Sequence, residues 1–243
     1  MKKLYNKADL TRDKSLDYQK RMMIRQFTEK MSDREHLFPC VPAMIGYSLD
    51  QLRYGFVGDP TEEDTIHELA DLLRIYSERS REYGKYTSLI IFYDISEEMN
   101  KTHGIEQYEQ LFWKQLSELI DQDNAEWPSE IPTDPNHNMW EFCFHGERYF
   151  VYCATPSHKN RNSRSFPTYM LAITPRWVFQ QFKESKYAEK IIEKVRRRIE
   201  KYDSVPIHPE LKTYGENNNY EWKQYFLRDD NQSLSKCPFH FKQ

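Results

Sequence analysis

The sequence predicts an α+β fold: a mainly antiparallel central sheet flanked by helices. Two observations carry that expectation. Strand-like apolar runs cluster in the middle of the chain, and helical periods lie before and after them. A third bears on organisation. No stretch rich in Gly, Ser or Pro divides the 243 residues, so a single domain over 1–243 is expected, with 1–14 as a flexible lead.

Residues 15–31 carry Leu16, Tyr18, Met22, Met23, Phe27 and Met31 at helical spacing. A second helix has Asp59 as cap and Pro60 at its first position, with Glu62, Glu63 and Asp64 complementing the positive end of its dipole. Its apolar stripe is Ile66, Leu69, Leu72, Leu73 and Tyr76, and Gly84 is its stop. Ser88 to Ile95 reads as a buried strand, Ile105 to Ile120 as a helix and Trp127 to Pro135 as a loop.

Trp140 to Ala154 reads as a hairpin turning at Gly146-Glu147 with type II′ geometry. That register sets Trp140, Phe142 and Phe144 on one face, opposite Cys153, Val151 and Tyr149. Cys143 falls on the other face, opposite Phe150, so Cys143 and Cys153 point to opposite sides. A further strand covers Phe166 to Ile173. Thr174-Pro175 and Ser185 then signal two helix starts, the second helix presenting Ile191, Ile192, Val195 and Ile199. From Pro206 onward the chain reads as irregular, with one short helix near Glu221 to Leu227.

The formal net charge is -3, from 35 basic and 38 acidic residues spread along the chain. That balance argues against a nucleic-acid partner or a polybasic membrane patch. No apolar run approaches the length that spans a bilayer, so a cytoplasmic protein with reduced thiols is expected. Walker, dinucleotide, His-Glu-x-x-His and Cys-x-x-Cys signatures are absent. A small-molecule partner fits the 15% aromatic content, which supplies either a bulky core or the walls of a pocket. A homodimer stays open.

The loop Thr155-Pro156-Ser157-His158-Lys159-Asn160-Arg161-Asn162-Ser163-Arg164 is the most informative stretch. It holds one imidazole with guanidinium groups three and six residues later. His158 could ligate haem iron while Arg161 and Arg164 pair with propionates. A solvated basic loop explains the same residues. Cys40, between Pro39 and Pro42, is a fixed thiol suited to a metal, a pocket wall or plain packing. Cys237-Pro238-Phe239-His240 offers a thiolate for ferric iron, or a packed tail. In the segment from His208-Pro209 to Tyr225, Glu216, Asn217 and Tyr220 are candidates to orient a polar substrate, and turn formation explains its asparagines equally well.

Phe38-Pro39-Cys40, the His158-x-x-Arg161-x-Ser163-Arg164 loop, Tyr214-Gly215-Glu216 and Cys237-Pro238-Phe239, in that order, resemble the YqcI/YcgG family over roughly residues 30 to 240. Some relatives in that family are haem-dependent N-oxygenases that hydroxylate a guanidine nitrogen of arginine or a similar amino acid. The resemblance therefore implies haem b, an oxygen or peroxide chemistry carried by the cofactor, His158 as iron ligand and Cys40 or Cys237 as a second ligand or a residue near the iron. It also implies Glu216 near a guanidinium substrate. Where those catalytic relatives have a His-Pro pair early in the loop, this chain has Thr155-Pro156, with its histidine at His158. The other class of function is a haem sensor or carrier, or an iron-free small-molecule module, without turnover.

Overall fold

The computed structural model describes residues 3–212 and 218–241. Three helices lead in: α1 (Lys7–Arg12), α2 (Tyr18–Ser32) and α3 (Val41–Ser48). There follow β1 (Arg53–Val57), α4 (Glu63–Arg79), β2 (Leu89–Tyr93), α5 (Glu97–Thr102) and α6 (Ile105–Ile120). Then come β3 (Phe142–Phe144), β4 (Glu147–Ala154), β5 (Met170–Pro175), α7 (Arg176–Lys183) and α8 (Ala188–Tyr202).

The strands form a five-stranded sheet in the order β1-β2-β5-β4-β3. The α+β expectation holds in its coarse form, but the sheet is mixed rather than mainly antiparallel. β1 and β2 run parallel, joined by the α4 crossover, and the pairings of β2 with β5, β5 with β4 and β4 with β3 are antiparallel.

Strand alternation divides the core in two. Leu89, Ile91, Tyr93, Val151, Cys153, Leu171 and Ile173 face α4, α6 and the C-terminal segment. Ile90, Phe92, Tyr54, Phe56, Ala154 and Met170 face the other way, against Phe27 and Met31 of α2. All five residues of β2 are buried, which is why its sequence is a continuous apolar run. In α4, Leu69, Leu72, Leu73 and Tyr76 are fully buried. At about 1.5–3 kcal/mol per buried side chain, that stripe outweighs any capping effect and sets the register of α4 on the sheet.

Details of the expected elements shift. The cap of α4 is Glu62. Asp59 and Pro60 lie in the preceding turn, where Asp59 Oδ1 accepts from the Thr61 amide at 2.9 Å. α8 begins after Tyr187, and Ser185 stands just outside it. The hairpin turns at His145-Gly146, with φ of 52° and 69°, which is type I′ geometry rather than type II′. The register therefore moves by two residues: Phe142 pairs with Tyr149 and Cys143 with Arg148. A two-residue shift preserves the faces, so Cys143 and Cys153 still point to opposite sides, and all four cysteines are free thiols. No helix among the described residues is long and apolar enough to cross a membrane.

Candidate functional site

The loop after β4 folds because its polar groups find backbone partners. Thr155 bridges to Ser165, and a 3-10 turn over Asn162–Arg164 tightens the return to β5. β3 pairs with β4 only as far as Tyr149, so the outer edge of β4 beyond it is open to another segment. Tyr225 occupies that edge: the Cys153 amide donates to its carbonyl at 3.2 Å, and its hydroxyl donates to the Tyr149 carbonyl at 2.9 Å.

His158, 1% exposed, is one of the fasteners. Its Nε2–H donates to the carbonyl of Leu227 at 2.8 Å, which fixes the tautomer, and Nδ1 accepts from the Thr155 hydroxyl at 2.8 Å. Burial holds the imidazole down to about 4, with Arg164 and Arg161 acting in the same sense against the Leu227 carbonyl and Asp229, so it is neutral. Arg161 donates through Nε to Arg228 O at 2.9 Å and through its terminal nitrogens to the carbonyls of Pro206 and Asp230. Arg164 donates to the carbonyls of Tyr225 and Gln224, each at 2.7 Å, and of Cys153 at 3.3 Å. In return, the Asp229 carboxylate accepts the amides of Lys159, Asn160 and Arg161.

The structure therefore brings His158, Arg161 and Arg164 together as a clamp on the C-terminal segment. In this arrangement they do not fit a haem ligand set. Both imidazole nitrogens are hydrogen-bonded within the protein, the ring packs on Phe226, and the guanidinium groups donate to main-chain carbonyls, that of Arg161 also lying 3.8 Å from the buried Asp203 carboxylate. The other candidates lie apart. Cys40 caps α3 and packs beside the α2 core, whereas Cys237 packs against the core on the opposite face of the sheet. Burial pushes both thiols up, that of Cys237 to about 12, although Arg164 and Arg198 partly offset it at Cys40. Tyr220 is half-buried at the start of a 3-10 turn over Glu221–Gln224. Glu216 and Asn217, with Tyr214 and Gly215, lie outside the described residues.

A cluster that the sequence reading did not single out sits directly beyond that turn. The Arg176 guanidinium, at the head of α7, is held between two buried carboxylates, donating through Nε to Glu141 and through a terminal nitrogen to Glu221. Side-chain exposures are 4% for Arg176, 0% for Glu141 and 5% for Glu221. Burial, aided by Glu141, raises Glu221 to about 7 despite Arg176. Arg176 is raised as well: burial acts against its charge, and the two carboxylates outweigh burial. Arg176 and Glu221 open onto a cavity of about 280 Å3 whose wall includes Cys40, Phe150, Phe179 and Ile199. The signal available in the sequence was a charge set between aromatics: Glu141 between Trp140 and Phe142, and Glu221 between Tyr220 and Trp222.

The family model described as the YqcI/YcgG family matches residues 27–240. The chain is 47% identical over 241 residues to the uncharacterized protein YqcI of Bacillus subtilis (strain 168), covering 98% of this chain and 95% of that one. It is 46% identical over 240 residues to the uncharacterized protein YcgG of the same organism, with the same coverage. A third relative, 31% identical over 213 residues, is the putative N(omega)-hydroxy-L-arginine synthase DcsA of Streptomyces lavendulae; the match covers 84% of this chain and 78% of that protein. No solved structure matches.

Proposed function

The chain belongs to the YqcI/YcgG family, and from that premise we propose that it is an N-oxygenase-like enzyme acting on a guanidine- or amine-bearing amino acid. The observation that carries the reading is the 31% identity, over most of both chains, to a protein named for arginine N-hydroxylation. A small-molecule substrate follows from it, and a cavity of side-chain size with buried charge at its floor is compatible with one.

Haem b belongs to this proposal through the family resemblance alone. Bound, it would supply the oxygen chemistry. Cys40, at the cavity wall, and Cys237 are its candidate thiolate partners. His158 joins them only in an arrangement where the Thr155 or Leu227 hydrogen bond is given up. The closed state of that imidazole favours a second reading, a binding protein without turnover.

The test is the absorption spectrum of protein expressed with a haem precursor, with a pyridine haemochrome assay on the same sample. A strong Soret band at near-stoichiometric haem is expected. A colourless protein that also fails to take up added haemin would remove the haem enzyme and leave the binding role.

A further inference from the structure

Between α6 and the sheet, four buried side chains bring polar groups into a largely apolar layer: Tyr93 at the end of β2, Tyr169 just before β5, and Tyr108 and Gln115 on α6. The three tyrosines are fully buried, and Gln115 is 2% exposed. The rings stand together. Tyr93 and Tyr169 have centroids 4.6 Å apart, tilted by 49°, and Tyr108 stacks on Tyr169 at 5.8 Å. The Cys153 thiol on β4 lies within electrostatic reach of all three phenols, so their hydroxyl ends share one neighbourhood.

Hydrogen-bond acceptors are short there. Among the described residues, the hydroxyls of Tyr93, Tyr108 and Tyr169 and the Oε1 of Gln115 close no hydrogen bond of normal geometry. The Tyr93 hydroxyl faces the Gln115 side chain, and that of Tyr169 faces Cys153, whose sulfur is a weak acceptor. The neighbouring main chain is already engaged. The Tyr93 carbonyl accepts from the Thr168 hydroxyl at 2.6 Å, and the Tyr169 carbonyl from the Tyr93 amide at 3.1 Å. The Pro60 carbonyl accepts from Gln115 Nε2 at 3.3 Å. A phenol buried without a partner is costly, and tyrosines in cores ordinarily keep one. Four such groups in one place are the chemistry that fixes an internal water, which both donates and accepts and takes roughly two to four polar partners.

We propose that Tyr93, Tyr108, Tyr169 and Gln115 form a buried water site, with at least one water held jointly by the Tyr93 and Tyr169 hydroxyls and reached from α6 by Tyr108 and Gln115. The site does not depend on the functional reading above. Its water is a structural ligand, a polar link that fixes α6 against the ends of β2 and β5.

The experiment pairs a crystal structure of the wild-type chain, at a resolution that shows ordered water, with urea denaturation of the wild type, Tyr93→Phe, Tyr169→Phe and the double variant. Each substitution removes one oxygen and keeps the ring. Density for a water within hydrogen-bond distance of both the Tyr93 and Tyr169 hydroxyls is expected. Each single substitution should raise the unfolding equilibrium constant by about tenfold, because it strips a partner from the water. The double variant should raise it by well under about a hundredfold, since the first loss already releases the shared molecule. Hydroxyls with no water in reach would overturn the proposal. So would single variants as stable as the wild type or more so, the result of removing a hydroxyl that had no partner. Strictly additive losses would overturn it as well, since Tyr93 and Tyr169 would then hold no molecule in common.

Discussion

The Nε2–H of His158 donates to the carbonyl of Leu227 at 2.8 Å across 69 residues of sequence. Arg164 reaches the same segment at Gln224 and Tyr225, so the loop after β4 holds the turn that carries Glu221. The loop's histidine and arginines thus fix the segment that lines the cavity.

Replacing His158 should therefore cost stability first. His158→Ala leaves a buried carbonyl and a buried hydroxyl without their partner, and should lower stability by roughly 3 kcal/mol, or about 6–12 °C in Tm. Circular dichroism melts check it. A Tm within 2 °C of wild type, a margin set at roughly 1 kcal/mol, would mean that the clamp is not formed.

The same residue gives a pH dependence whose sign is fixed. Burial lowers the pKa of His158 in the folded chain to about 4, so the unfolded chain binds its proton first as pH falls from the ordinary 6.5. Its contribution is fully present above about 6.5 and is lost progressively toward 4, on the order of 3 kcal/mol at most. His208, lowered by burial and Arg161 to about 4, acts in the same window. Urea titrations between pH 7 and 4.5 should show stability falling with acid in the wild type and falling less steeply in His158→Gln.

Arg164 is harder to replace. Its guanidinium spans three main-chain carbonyls in full burial, and Lys cannot reproduce that planar fork. Arg164→Met should cost about 3 kcal/mol or more, and Arg164→Lys should recover less than half of it. Chemical denaturation of the three proteins decides the matter.

Gly46 tests the packing of α3 against Tyr86 and Leu52. A Cβ there would meet the Tyr86 carbonyl oxygen at 2.3 Å, a backbone atom with little freedom to retreat. Gly46→Ala should destabilise by about 1–3 kcal/mol. At Gly146 nothing lies within 4 Å, and only the positive φ of 69° opposes a side chain. Gly146→Ala should cost about 1 kcal/mol. A reversed order in thermal melts would contradict the described α3 packing.

Thiol reactivity follows from burial. All four thiols are raised, Cys40 and Cys237 included. Ellman's reagent at pH 8 should react slowly with native protein and rapidly with four thiols in denaturant. A fast native reaction of Cys40 or Cys237 would show that its thiolate is more accessible than burial allows.

Much of the fold was legible because burial writes itself as period. The limits of α6 matched those read from the sequence, and the hairpin faces survived a two-residue error in register. β1 was not anticipated, and with it went the parallel pair that makes the sheet mixed. Gly55 interrupts its apolar run, and a Cβ there would lie 2.8 Å from terminal methyls of both Ile91 and Leu72, which would have to shift to admit it. The Thr155–Arg164 loop was visible as unusual, but its partners, from Gln224 to Asp230, are distant in sequence and mostly carbonyls, which no side-chain pattern reveals. The Glu141–Arg176–Glu221 cluster joins three separate segments, and only folding brings them together.

The most direct test of the N-oxygenase reading is mass spectrometry of L-arginine after incubation with haem-supplemented protein, an electron donor and 18O2. The account predicts a product carrying one added 18O on a guanidine nitrogen. Unmodified L-arginine from a haem-replete wild type, with related guanidine and amine amino acids equally untouched, would contradict it.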